Sequence, residues 1–148
     1  MGRRYDPLVV VAFGTDEVTP TTEALVAWLG EQGHEVQLVS GTPEWPEVGR
    51  AVGEAVASGR ADRGVVCCWT GTGVSIAANK VAGVRAALCT DAATARGARR
   101  WNDANVLALG LRLTTPTVAL EVAGTFLDTP VDPAEAGAVS RVEPSEPS

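Results

Sequence analysis

The chain is poor in the residues that small proteins use for metal and disulfide chemistry. It has one histidine, His34, and three cysteines, Cys67, Cys68 and Cys89, among 148 residues. An odd cysteine count without a C-x-x-C spacing excludes a fully paired disulfide framework, and one histidine adds no plausible zinc set. Positive charge is scarce as well. The 12 basic and 18 acidic residues leave a formal net charge of −6, which argues against a nucleic-acid groove and against docking on anionic lipid. No apolar run approaches the roughly 20 residues that a membrane span needs. Arg3 and Arg4 precede the apolar run Leu8–Phe13, but that run is too short for a secretory signal and leads into Asp16 and Glu17. The expected location is the cytoplasm, with reduced thiols.

What is present suits one core. Hydrophobic residues are 45% and charged residues 20%, ordinary values for a globular domain of this length. Short apolar runs alternate with longer helix-like stretches. Leu8–Phe13 reads as a strand buried on both faces. Thr19, Pro20 and Thr21 open a helix that Gly33 stops. Glu35–Val39 is a second strand, and the loop Ser40–Pro46 leads to a helix through Ser58. Gly64–Cys68 is a third strand, followed by a Gly-rich turn and a helix over Val74–Val81. Val84–Leu88 and Asn105–Leu109 are the last two strands, with Asp91 capping the helix between them, which runs to Trp101. Pro116 opens a final helix ending near Phe126. Five β–α units joined by short connections predict a three-layer α/β sandwich around a parallel sheet. Residues 1–128 read as a single domain. The Pro/Ala/Glu-rich tail 129–148, with Pro130, Pro133, Pro144 and Pro147, reads as disordered or as a strap across a neighbour.

Ligands of an open parallel sheet bind outside the carboxyl ends of its strands. That rule selects Gly14–Glu17, Ser40–Pro46, Trp69–Gly73 and Thr90–Asp91. It leaves His34 at the amino end, where it reads as a surface loop residue. The most informative segment is Cys68-Trp69-Thr70-Gly71-Thr72-Gly73, a thiol followed by a Gly-rich turn at a helix start. Such a turn presents N–H donors to an anion or a developing oxyanion, or is merely a tight connection. It lacks the Walker A spacing, and Ile76 stands where the dinucleotide fingerprint needs glycine or alanine. Cys67 and Cys68 must face opposite sides of the sheet, and Cys68 borders the loop. Asp16 and Glu17 stand beside it if the first and third strands are neighbours. Trp69 and Trp101 suit packing or a dimer interface as well as ligand stacking.

The run Gly71–Lys80 (GTGVSIAANK), then Gly83–Ala87 (GVRAA) and Trp101–Leu107 (WNDANVL), resembles the ribose-5-phosphate isomerase B / galactose-6-phosphate isomerase family, collinearly from Val9 to about Arg141. The resemblance implies a Rossmann-like sandwich with a five-stranded parallel sheet and a homodimer, or dimer of dimers, with active sites shared between subunits. It implies no metal or organic cofactor. The implied chemistry interconverts an aldose phosphate and a ketose phosphate through a cis-enediolate. In one branch of the family the base is a cysteine, which falls on Cys68; the other branch places a glutamate where Val74 stands. Thr70, Gly71, Thr72 and Gly73 fall on the oxyanion loop, and Asp16 on an aspartate that contacts sugar hydroxyls. Asn102 falls on an asparagine supplied by the partner subunit. Arg112 and Arg141 fall on arginines near the phosphate.

Four departures accompany the resemblance. Glu17 replaces a histidine near the phosphate end, where a carboxylate repels a dianion. Trp101 replaces the histidine expected to open the furanose ring. Trp69 replaces the glycine after the catalytic cysteine, and Gly137 replaces one of two tail arginines. Three readings follow: a sugar-phosphate isomerase of the ribose 5-phosphate type, an isomerase or epimerase of a different sugar, phosphorylated or not, or a non-catalytic partner subunit.

Overall fold

The computed structural model describes residues 8–40 and 44–144, arranged as five β–α units and a short tail. The strands are β1 (Val10–Thr15), β2 (Glu35–Leu38), β3 (Arg63–Cys68), β4 (Ala86–Leu88) and β5 (Val106–Gly110). The helices are α1 (Pro20–Glu31), α2 (Trp45–Ala57), α3 (Thr72–Asn79), α4 (Ala92–Asn102), α5 (Pro116–Asp128) and α6 (Ala136–Ser140). All strand pairs are parallel, in the order β2-β1-β3-β5-β4. Helices α1, α4 and α5 cover one face, where Leu25, Leu29, Ala95 and Phe126 pack on Val11, Val65 and Leu107. Helices α2 and α3 cover the other, where Val48, Val52, Val74 and Ala78 pack on Ala12, Val66 and Val106. This is the expected three-layer sandwich. No helix among the described residues is long and apolar enough to cross a membrane.

Local chemistry explains the helix limits. Thr19 and Thr22 form a reciprocal capping box at the start of α1, with Pro20 in the first turn. Asp91 Oδ1 accepts from the Thr94 N–H at 2.7 Å and starts α4. Gly33, at φ 91°, ends α1 as expected. β1 lies two residues later than the run Leu8–Phe13 suggested, because its last residues, Gly14 and Thr15, pair with Val66 and Cys67 of β3. Similarly, α3 begins and ends two residues earlier than Val74–Val81.

Two expectations need correction. His34 is not a surface loop residue: it is buried, and its Nδ1 accepts from the Val9 N–H at 3.2 Å, tying the start of β2 to the segment before β1. Through Glu143 the tail is ordered and bonded to its own chain rather than disordered. The Asp132 N–H donates to Arg100 O on α4 at 2.9 Å, and the Gly83 N–H donates to Glu143 Oε2 at 3.3 Å. Residues 41–43 of the second loop, together with Arg3, Arg4 and Pro147, lie outside the described residues.

Candidate active site

The strand order puts a topological switch between β1 and β3, because α1 leaves β1 toward one face while α3 leaves β3 toward the other. The loops carrying Asp16–Glu17 and Trp69–Gly73 diverge at that point. The Asp16 N–H reaches Cys67 O at 3.4 Å, so Asp16 and Glu17 do continue beside the end of β3. Both side chains are exposed.

Cys67 and Cys68 face opposite layers, as alternation requires. Cys67 is sealed among α1, α4 and α5, and burial pushes its thiol well above the ordinary range. Burial, assisted by the charge of Asp91, likewise pushes the Cys89 thiol up to about 11. Neither is a ready nucleophile or base. Cys68 alone borders the loop, and its Sγ accepts from the Gly71 N–H at 3.2 Å. That contact folds the turn back over the sulfur. Gly71 adopts φ 79°, a left-handed conformation that favours glycine, and serves as the N-cap of α3. The Thr70 and Thr72 hydroxyls lie 2.8 Å apart on the exposed side of the turn. Among the described residues no side chain caps α3, so its first-turn N–H groups remain available to a negatively charged oxygen.

Close main-chain approach makes this turn possible. A Cβ on Gly71 would lie 2.8 Å from Gly110 N, and one on Gly110 would lie 2.5 Å from Thr70 O. The Leu111 N–H donates to Cys68 O at 2.9 Å and the Arg112 N–H to Trp69 O at 2.8 Å, so exposed Arg112 is anchored beside the loop. Sequence reasoning missed Gly110 and also Trp45. The Trp45 ring lies over Gly73, where a Cβ would come within 2.9 Å of it. Only its place in the Ser40–Pro46 loop hinted at this. Val74 is fully buried between α3 and the sheet, a packing residue rather than a base.

The remaining expected residues lie elsewhere. α4 runs antiparallel to the strands, so Trp101 and Asn102 sit at the amino end of the sheet, away from Cys68 in the same chain. Trp101 is exposed with its ring on Gly97 of its own helix, and Asn102 is exposed beside it. Arg141 caps α6, its guanidinium donating to Gly137 O at 3.0 Å, and that tail also belongs to the amino end. One chain thus joins Asp16, Glu17, Cys68, Thr70–Gly73 and Arg112, but not Trp101, Asn102 or Arg141.

Several residues of the signature motifs turn out to be architectural. Asn79 exchanges two hydrogen bonds with the Ala86 main chain, at 2.7 and 3.0 Å, and so closes the free edge of β4. Asn105 accepts from the Arg85 N–H and donates to Gly83 O. Asp103, at φ 48°, ends α4 and pairs with Arg99 at 2.9 Å and Arg85 at 3.3 Å. Buried Arg99 also donates to Ala104 O and Thr129 O and lies 5.9 Å from the Phe126 ring.

A groove of about 670 Å³ between β1, α1 and the end of β2 includes Asp16 and Glu17 in its lining but neither Cys68 nor Thr70. Its walls are mainly apolar, and it flanks the thiol-containing loop rather than enclosing it.

Residues 11–143 match the model of the Ribose/Galactose Isomerase family. Ribose-5-phosphate isomerase B of Escherichia coli is 42% identical over 124 residues, covering 80% of each chain. D-erythrulose-4-phosphate isomerase of Pectobacterium atrosepticum is 44% identical over 86 residues, covering 58% of this chain and 57% of that protein. The structure of Clostridium thermocellum ribose-5-phosphate isomerase B superposes with a TM-score of 0.84 at 38% identity, covering 90% of this chain and 94% of that one. The chain belongs to the Ribose/Galactose Isomerase family and is an aldose–ketose isomerase.

Proposed function

We propose that the chain interconverts an aldose phosphate and its ketose isomer, the reaction type that links ribose 5-phosphate and ribulose 5-phosphate, with Cys68 as the base. The observation that carries this reading is the turn folded onto Cys68: a sulfur and a row of main-chain donors meet at one strand end. Cys68, as thiolate, takes the proton from C2. The C–H electron pair becomes the C1–C2 double bond, and the former C1 carbonyl oxygen carries the negative charge. The Thr72, Gly73 and Val74 N–H groups hold that oxygen, assisted by the Thr70 and Thr72 hydroxyls. A proton passes from O2 to O1, the C2 carbonyl re-forms, and the Cys68 thiol returns its proton to C1. Asp16 binds sugar hydroxyls and Arg112 the phosphate, while Glu17 lines the rim.

The separation of Cys68 from Asn102 within one chain supports a homodimer, or a dimer of dimers, in which Asn102, Trp101 and Arg141 of one subunit complete the site of the other. Three unpaired thiols favour the reducing cytoplasm. The Gly71–Cys68 contact speaks against a non-catalytic subunit. Exposed Glu17, set where the resemblance has a histidine, favours a second reading in which the substrate is a non-phosphorylated sugar.

The test is deuterium wash-in at C2 of aldose phosphates with four, five and six carbons in D2O, followed by NMR. A base in this role contributes about 10²–10⁴-fold, so exchange should fall by that factor in Cys68→Ala with the fold intact. Exchange unchanged in Cys68→Ala would overturn the assignment of the base, and no exchange with any of the sugars would overturn the reading itself.

A further inference from the structure

The switch between β1 and β3 opens two ways, and the reaction proposed above uses only the α3 side. On the α1 side lies the groove of about 670 Å³, floored by the ends of β1 and β2. Phe13, Val26, Ala27, Leu38 and Val39 supply its apolar lining, and its charged groups are Asp16, Glu17 and Glu23. Among the described residues no lysine, arginine or histidine lines it. Leu38 is 61% exposed, so apolar surface at this corner is left uncovered. None of the three carboxylates makes an ion pair among the described residues.

The two helix starts beside the switch differ in the charge they accept. α3 begins without a side-chain cap and offers N–H donors. α1 begins with a capping box, in which the Thr22 N–H donates to Thr19 Oγ1 at 3.2 Å and the Thr19 N–H to Thr22 Oγ1 at 2.8 Å. Those donors are spent within the chain, and three carboxylates stand where an anion would have to enter. An anion there meets repulsion. A cation meets only opposite charge, beside apolar walls where attraction is stronger than in open water.

We propose that this groove binds a small organic cation, its ammonium or guanidinium held by Asp16, Glu17 and Glu23 and its aromatic or alkyl body packed between α1 and the end of β2. Glu23, Val26 and Ala27 stand three and four residues apart, which sets one charge and an apolar strip on the same face of α1. An elongated body therefore lies along the helix with its charge toward the carboxyl end of the sheet. The volume is that of a small-ligand site, mostly apolar with a few polar groups, and its place at a topological switch is usual for one. A sugar phosphate suits neither the walls nor the charge. The groove is thus a second site beside the reaction centre, and its occupancy depends neither on Cys68 nor on the isomerase reading.

The experiment titrates the wild-type assembly with 4-phenylbutylamine by calorimetry, with 4-phenylbutanol and 4-phenylbutyrate as neutral and anionic counterparts. An exposed ion pair changes binding about 1.4- to 5-fold, so the alcohol, which forgoes all three, should bind at least about threefold more weakly, and the carboxylate more weakly still. Affinity for the amine should fall with added salt. The double variant Glu17→Gln/Glu23→Gln should lose about 2- to 30-fold by the same reckoning. Ala27→Trp, a change at an exposed position of α1, should fill the groove and abolish binding with the circular dichroism unchanged. Equal or tighter binding of the carboxylate would overturn the charge assignment. Amine binding unchanged in Ala27→Trp would place the cation elsewhere and overturn the site. No binding of the amine, whether the groove is empty or covered by a second copy of the chain, would overturn the inference and leave the isomerase reading untouched.

Discussion

Around Thr70–Gly73 the main chain touches itself because glycines carry no side chain, whereas around Asn102 it is held by side chains that reach back to it. At the carboxyl end, Gly71 and Gly110 let the turn after β3 rest on the end of β5, and the turn's own amide meets the Cys68 sulfur. At the amino end, Arg99, Asp103, Arg85 and Asn105 knit α4 to the starts of β4 and β5 through charge and amide groups. The first arrangement leaves donors free for a ligand. The second uses up its polar groups in holding two exposed residues, Trp101 and Asn102, in place. The contrast suits the proposed division of labour, in which one end would perform proton transfer and the other would present groups to a neighbouring subunit.

The comparison breaks most sharply at Gly71. Gly71→Ala adds strain at a positive φ and a Cβ 2.6 Å from Leu88 Cδ1, with the Gly110 main chain behind it. Adding left-handed strain to overpacking, the expected loss is about 2–5 kcal/mol, read as a lowered urea midpoint, together with loss of turnover. A stable, active Gly71→Ala protein would contradict the close approach on which the loop depends.

Asp103→Ala probes the other end and should cost somewhat less. It removes both ion pairs of Asp103 and leaves the Arg99 guanidinium buried with only main-chain carbonyls for partners. The expected loss is about 3 kcal/mol, and at about 2–4 °C per kcal/mol for a chain of this size the Tm should fall by roughly 6–12 °C. Asp103→Asn tolerates the left-handed φ and keeps an acceptor, so it should lose less than half as much. Equal losses in the two variants would mean that the carboxylate charge is not what fastens Arg99.

These two ends were not equally legible from the amino-acid sequence. The five β–α units were, because unbroken apolar runs such as GVVCC alternate with capped helical stretches. The limits of β1 were not, since LVVVAF is apolar throughout and pairing with β3 decides where the strand begins. Cys68, Asp16 and the Thr70–Gly73 turn could be placed because chemistry at strand ends is local in sequence. Gly110 and Trp45 act across the fold, through contacts with Thr70 and Gly73 that no spacing announces. His34 looked like a loop residue because a lone polar side chain beside a glycine carries no sign that it accepts a main-chain N–H twenty-five positions earlier. Asp103 and Asn105 were visible as part of a motif, but only the folded chain separates their structural work from Asn102, whose side chain remains exposed.

The central proposal, that each reaction centre draws Cys68 from one subunit and Asn102 from another, is tested most directly by mixing two variants expected to be inactive. Cys68→Ala and Asn102→Ala are each assayed alone, then unfolded together in equal amounts and refolded. In a two-fold symmetric dimer with shared sites, half of the random assemblies are mixed and each mixed dimer has one intact site, so about a quarter of wild-type activity should return. Activity no greater than the sum of the two parents, with exchange of subunits verified, would contradict the shared site.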